Sequence, residues 1–147
     1  MAVEGTVQRV EVSAVPQHVY EVALDLEAYP QWAGGVKSVS VTEEDEHGRP
    51  ATAEFVIDAM IKEISATFVY SYDYDNGFAW SAIQNEDIKS LEGRYEFNPI
   101  DGDATEVVYA LKVEPEFSVP GFLRRQAEKQ IVGTALRGLK KRAEEIT

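Results

Sequence analysis

Cysteine is absent from this chain of 147 residues. That excludes disulfide staples, thiolate nucleophiles and zinc sites built from thiolates, and it agrees with a cytoplasmic setting. Histidine is nearly absent. His47 sits in the turn Glu-Asp-Glu-His-Gly-Arg-Pro, His18 in a short helical stretch, and neither has neighbours at metal-ligand spacing. Both read as solvated. No apolar run is long enough to span a membrane, and the opening Met-Ala-Val-Glu-Gly-Thr has no signal-peptide character. Nucleophile elbows, P-loops and glycine-rich dinucleotide motifs are missing too. No cofactor and no metal are expected.

Positive charge is scarce over most of the length. Residues 1–123 carry 23 acidic and 7 basic side chains, whereas residues 124–147 carry 3 acidic and 7 basic. An acidic body argues against nucleic acid as a partner. The basic end reads first as complement to a helix C-terminal dipole. Asp25 and Glu27 lie too close along one helix end to converge as an acid/base pair, and Glu43 to Glu46 lacks the spaced oxygen ligands of a calcium loop.

What is present is alternation. Val3 to Val12 reads as a strand with a slip near Gly5, and Ser13 to Leu26 as a short helix capped by Ser13 with Pro16 in its first turn. Glu27 to Trp32 forms a second short helix or turn. Strands follow at Val36 to Glu44, Ala51 to Ala59, Ile64 to Tyr74, Phe78 to Ile83, Leu91 to Phe97 and Thr105 to Val113. Asp75-Asn76-Gly77 is the strongest hairpin signal, a type I′ turn. Alternation turns Arg94 outward.

Proline is absent after Pro120, and Ser118 to Ile146 reads as one helix about 40 Å long, with Ser118 as its cap. Ile131, Val132, Ala135, Leu136, Leu139, Ala143 and Ile146 form its apolar stripe. The same stripe carried backwards meets Arg124, Arg125 and Glu128. Only this helix is large enough to cover the apolar face of the meander. That face is aromatic, with Phe55, Phe68, Tyr70, Tyr72, Trp80, Tyr95, Phe97 and Tyr109. It fits a plain core and a ligand cavity alike; several tyrosines on one face favour the cavity, because buried hydroxyls need partners.

This element order resembles the helix-grip fold of the START/Bet v 1-like (SRPBCC) superfamily. Asp25-Leu-Glu-Ala-Tyr29-Pro30-Gln-Trp32 is similar to the signature of its polyketide cyclase/dehydrase and Coq10-like branch. Ser90 to Phe97 and Pro120 to Arg125 are similar to actinobacterial members. The resemblance implies one α+β domain over residues 1–147: a curved antiparallel sheet of about seven strands, two short helices and a long C-terminal helix enclosing a cavity. It implies that the first half of that helix lines the cavity mouth.

The expected function is binding of an apolar or amphipathic small molecule, such as a lipid, isoprenoid or polyketide. The wall would be Phe55, Ile57, Phe68, Tyr70, Trp80, Tyr95 and Tyr109, with Trp32 and Phe122 at the mouth and Arg124, Arg125 and Glu128 meeting the ligand's polar end. A polyketide aromatase/cyclase-dehydratase, with Arg125, Tyr70 and Tyr95 assisting proton transfer, is one alternative. A ribosome-associated module using the basic helix is the other. A non-catalytic binding protein, monomeric or weakly dimeric, is the favoured reading.

Overall fold

The computed structural model describes residues 5–58, 62–72 and 76–146. The expectations for Val3, for Ala59 and for the turn residue Asp75 lie outside them. In chain order the elements are β1 (Thr6–Val12), α1 (Pro16–Leu24), a 3-10 helix (Leu26–Gln31), β2 (Val36–Glu44), β3 (Pro50–Asp58), β4 (Glu63–Ser71), β5 (Gly77–Ala82), β6 (Ile88–Ile100), β7 (Ala104–Pro115) and α2 (Gly121–Glu145). This is the expected helix-grip architecture.

The seven strands form one antiparallel sheet in the order β1-β7-β6-β5-β4-β3-β2. Six of them are a meander joined by short turns, and β1 returns to pair with β7, from Thr6 opposite Leu111 to Val12 opposite Thr105. Register shifts in β2 (Val36/Ser38, Val41/Glu43, Glu43/Glu44) and in β6 (Ile88/Ser90) bend the sheet. The β2 edge is managed by charge: the Glu27 carboxylate accepts the Val41 N–H at 3.0 Å. Glu27 is therefore a cap on the β2 edge.

Neither helix uses the cap expected from its sequence. The N-cap of α1 is Val15, with Pro16 at the first helical position; the N-cap of α2 is Pro120, and neither makes a side-chain capping bond. Ser13 instead donates its backbone N–H to Glu144 at 2.9 Å, which ties the start of α1 to the end of α2. The same seam holds His18, whose Nε2 lies 3.0 Å from the Ala143 carbonyl oxygen. His18 is thus a partly buried helix–helix link rather than a solvated residue.

The apolar stripe of α2 packs Val132, Leu136, Leu139 and Ala143 out of solvent, and Gly133 lies in the same row. Ile146, assigned to that stripe by its spacing, is 50% exposed; it is the C-cap, where the helical backbone and so the helical spacing end. Gly138 is required where α2 crosses the 3-10 helix: a Cβ there would lie 2.3 Å from the Trp32 carbonyl oxygen.

Candidate functional site

The inward face of the sheet is divided into two regions. At one end Phe78 and Phe97 pack under Tyr20 of α1, with ring centroids 5.6 and 5.2 Å from it. These rings are core. At the other end the sheet bends away from α2 and leaves a cavity of about 170 Å³.

The floor of the cavity is built by cross-strand pairing. Tyr70 of β4 stands opposite Trp80 of β5, and Tyr95 of β6 opposite Tyr109 of β7. Trp80 in turn faces Gly93. A Cβ at residue 93 would lie 2.3 Å from Trp80 Cε2, so only glycine lets the indole lie on the β6 backbone. The rings then form a continuous wall: centroids are 6.0 Å apart for Tyr70–Trp80, 5.5 Å for Trp80–Tyr95 and 4.6 Å for Tyr95–Tyr109. Phe55 and Phe68 extend it, 4.8 Å apart, each opposite an alanine (Ala66 and Ala53) that makes room for the larger ring.

The 3-10 helix closes one side. Tyr29 is buried against Trp32 and Phe55, with centroid distances of 4.8 and 5.9 Å, and its hydroxyl donates to the Ala23 carbonyl. Helix α2 supplies the roof through Arg124, Ala127, Glu128, Ile131 and Ala135, one helical face at spacings of three and four.

Polar groups in this wall are few. Glu128 is 3% exposed. One carboxylate oxygen accepts the Thr6 hydroxyl at 3.1 Å and the other the Val113 N–H at 2.8 Å. Arg124 Nη1 donates to the Val113 carbonyl at 3.4 Å. The reason lies in the register: among the described residues, β1 pairing with β7 begins at Leu111, and none pairs with Val113 on that edge. Arg124 and Glu128 complete its backbone hydrogen bonding in place of a strand. Both charged groups are therefore engaged with the scaffold.

The tyrosines differ. Among the described residues, the hydroxyls of Tyr70, Tyr95 and Tyr109 have no hydrogen-bond partner, and the buried indole N–H of Trp32 has none either. Burial pushes the phenols of Tyr70, Tyr95 and Tyr109 above their usual range, and proximity to other tyrosines adds to the rise at Tyr70 and Tyr95. All three stay neutral at physiological pH.

Nine of the eleven predicted site residues surround this one cavity: Trp32, Phe55, Ile57, Phe68, Tyr70, Trp80, Tyr95, Tyr109 and Glu128. Two do not. Phe122 is 63% exposed and is not part of the lining. Arg125 is exposed and does not line this cavity; it borders a separate surface pocket with Gly5, Gln8, Lys112 and Lys129, to which Arg124 and Glu128 also contribute. One residue earlier or later along a helix turns the side chain by about 100°, and it is Arg124 that lines the cavity. Glu128 is in the wall, but as a structural pin. Arg124, expected beside Arg125 and Glu128 at the cavity mouth, does line the cavity. Tyr29, Ala127, Ile131 and Ala135 were not expected there. The helical spacing of the last three was visible, but Ile131 and Ala135 were assigned to packing against the sheet. Among the described residues, no cluster of three or more histidine, aspartate or glutamate side chains could hold a metal. Among the described residues, no helix is long and apolar enough to cross a membrane.

The sequence matches, over residues 12–140, the family described as polyketide cyclase/dehydrase and lipid transport. The chain belongs to that family. Solved structures agree on the fold. A START superfamily protein from Mycobacterium smegmatis superposes with a TM-score of 0.90 at 23% identity, covering 97% of this chain and 98% of that one. The Zhui aromatase/cyclase from Streptomyces sp. R1128 gives 0.78 at 15% identity, covering 95% and 93%. A STAR-related lipid transfer protein from Xanthomonas axonopodis gives 0.71 at 18% identity, covering 93% and 84%. Among curated proteins, none matches this sequence.

Proposed function

We propose that this chain is a binding protein for an apolar or amphipathic small molecule of the lipid, isoprenoid or polyketide kind, held between the sheet and α2. One observation carries this reading: a cavity of about 170 Å³ whose wall is mostly aromatic and aliphatic, with Glu128 and Arg124 hydrogen-bonded to the scaffold. The family description and the lipid-transfer relative point the same way. On the Asp25–Trp32 and Pro120–Arg125 motifs, we read the chain as a member of the Coq10-like branch with actinobacterial affinities. Native mass spectrometry of freshly purified protein tests for a co-purified ligand, and titration with a fluorescent apolar probe tests for the site. Tyr70→Ala and Trp80→Ala should weaken probe binding. Loss of probe affinity in neither variant, with only stability altered, would refute the reading.

An aromatase/cyclase activity uses the same cavity and is favoured by the Zhui likeness alone. The lining contains no histidine; its carboxylates are Asp58 and Glu128, and both oxygens of Glu128 are already hydrogen-bonded. An unchanged product profile on incubation with a poly-β-keto substrate would exclude this activity.

A further inference from the structure

Acidic side chains outnumber basic ones 26 to 14 on this chain, so a basic side chain with no carboxylate beside it is conspicuous. Arg9, Lys37, Arg49, Lys62, Arg94 and Lys140 each lie 2.5–3.7 Å from a carboxylate oxygen. Lys112, Arg125 and Lys129 have no such partner among the described residues, and all three border the same surface pocket outside the cavity.

That pocket lies where three elements meet. β1 supplies Thr6 and Gln8, β7 supplies Lys112, and α2 supplies the rest. Arg124 and Glu128 stand four residues apart on α2, as do Arg125 and Lys129, so each pair lies one above the other on the helix surface. Among the described residues, Glu128 is the only carboxylate on the pocket. Both its oxygens are already engaged, by the Thr6 hydroxyl and the Val113 N–H, and Arg124 one turn away offsets its charge. What remains open to solvent is three unpaired cations.

The charge of a matching ligand follows from this. Attraction grows in proportion to the ligand's charge, so a dianion gains about twice what a monoanion gains at the same position. A guanidinium and two ammonium groups match the oxygens of a phosphate. A long polyanion would overrun the pocket onto the body of the protein, where residues 1–123 carry 23 acidic and 7 basic side chains. A single phosphate group stays within the basic patch.

We propose that this pocket is a second binding site, for a phosphomonoester dianion held by Lys112, Arg125 and Lys129. The proposal is independent of the cavity-binding reading. A small soluble ester and a lipid headgroup both present this group; Phe122 and Leu123, 63% and 41% exposed just before Arg124, give the second source an apolar contact.

Titration of ¹⁵N-labelled protein at low salt, followed by amide shifts, decides the site. Glycerol 3-phosphate should move the amides of Thr6 to Gln8 and of Arg125 to Lys129 saturably, several-fold more tightly than dimethyl phosphate or acetate, and added salt should weaken it. Lys112→Gln, Arg125→Gln and Lys129→Gln should each lose about two- to fivefold in affinity, with unmoved urea midpoints and unchanged binding of an apolar probe in the cavity. Lys141→Gln, on α2 but outside the pocket, should lose nothing. Glu4→Gln, which removes the acid next to Gly5 in sequence, should bind as well or better. Flotation with phosphatidylcholine vesicles, with and without phosphatidic acid, then names the source. Capture by the phosphatidic acid vesicles, weakened in Phe122→Ser, assigns a lipid headgroup; no capture assigns a soluble ester. Absence of a saturable shift with glycerol 3-phosphate, equal affinity for acetate, or an equal loss in Lys141→Gln would overturn the site and leave the cavity reading standing.

Discussion

Glu128 gives the sharpest test of how the two halves of this molecule are joined. From sequence it was expected to meet a ligand, so that its removal would alter binding and spare stability. In the structure it is buried at 3% exposure and holds α2 to two strands, through the Thr6 hydroxyl of β1 and the Val113 N–H of β7. Hydrogen bonds to a charged group are worth about 1.5–3 kcal/mol each. Glu128→Ala removes both and strands a backbone N–H beside an apolar cavity, so the loss should be about 3–5 kcal/mol. Glu128→Gln keeps an acceptor oxygen and should lose about half as much. For a chain of this size, 3 kcal/mol corresponds to roughly 10 °C in melting temperature. Urea unfolding of the wild type, Glu128→Ala, Thr6→Val and the double variant, combined as a double-mutant cycle, should show a coupling of about 1–2 kcal/mol between Thr6 and Glu128. A loss under about 1 kcal/mol for Glu128→Ala, or no coupling, would refute the pinning argument.

Gly93→Ala should cost about 1–3 kcal/mol and shift the tryptophan emission, since a Cβ placed 2.3 Å from Trp80 Cε2 forces the indole off the sheet; unchanged emission would count against this. Leu139→Ala should cost about 2–5 kcal/mol and Ile146→Ala under about 0.5, as read from urea midpoints, because the first is fully buried and the second 50% exposed. Raised tyrosine pKa values carry a definite sign: the unfolded chain ionises near pH 10, the folded one only above it, so this contribution is complete below about pH 10 and falls as pH rises further. The phenolate absorbance of Tyr70, Tyr95 and Tyr109 should appear only together with alkaline unfolding, and early titration of all seven tyrosines would contradict their burial. Arg125→Ala should leave probe affinity unchanged, whereas Ile131→Trp, placed in the roof, should reduce it; equal effects would mean that the helix face has been misassigned.

Alternation of apolar and polar residues determined the strands, and the 3.6-residue period determined α2, because side-chain direction in those elements follows local geometry alone. The aromatic character of the inner face was legible for the same reason: Phe55, Phe68, Tyr70, Trp80, Tyr95 and Tyr109 all point as their parity demands. Other features were not legible. Ser13 and Ser118 carry the chemistry of helix caps, yet Val15 and Pro120 hold those positions, since the chain's path into each helix is set by packing elsewhere. Whether Phe97 is core while Tyr95 is cavity wall depends on where α1 and α2 sit over the sheet, and two residues of one strand carry no record of that. Whether Arg124 or Arg125 faces inward depends on the rotation of α2 about its axis. That rotation is fixed at a distance, by Leu139 and Ala143 in the core and by the backbone of Val113 that Glu128 and Arg124 satisfy. The sequence thus specified a helix wanting a partner and a sheet with an aromatic face. Only the tertiary structure decided that they meet at one end and stand apart at the other, because the gap belongs to neither element and arises from the bend of the sheet between them.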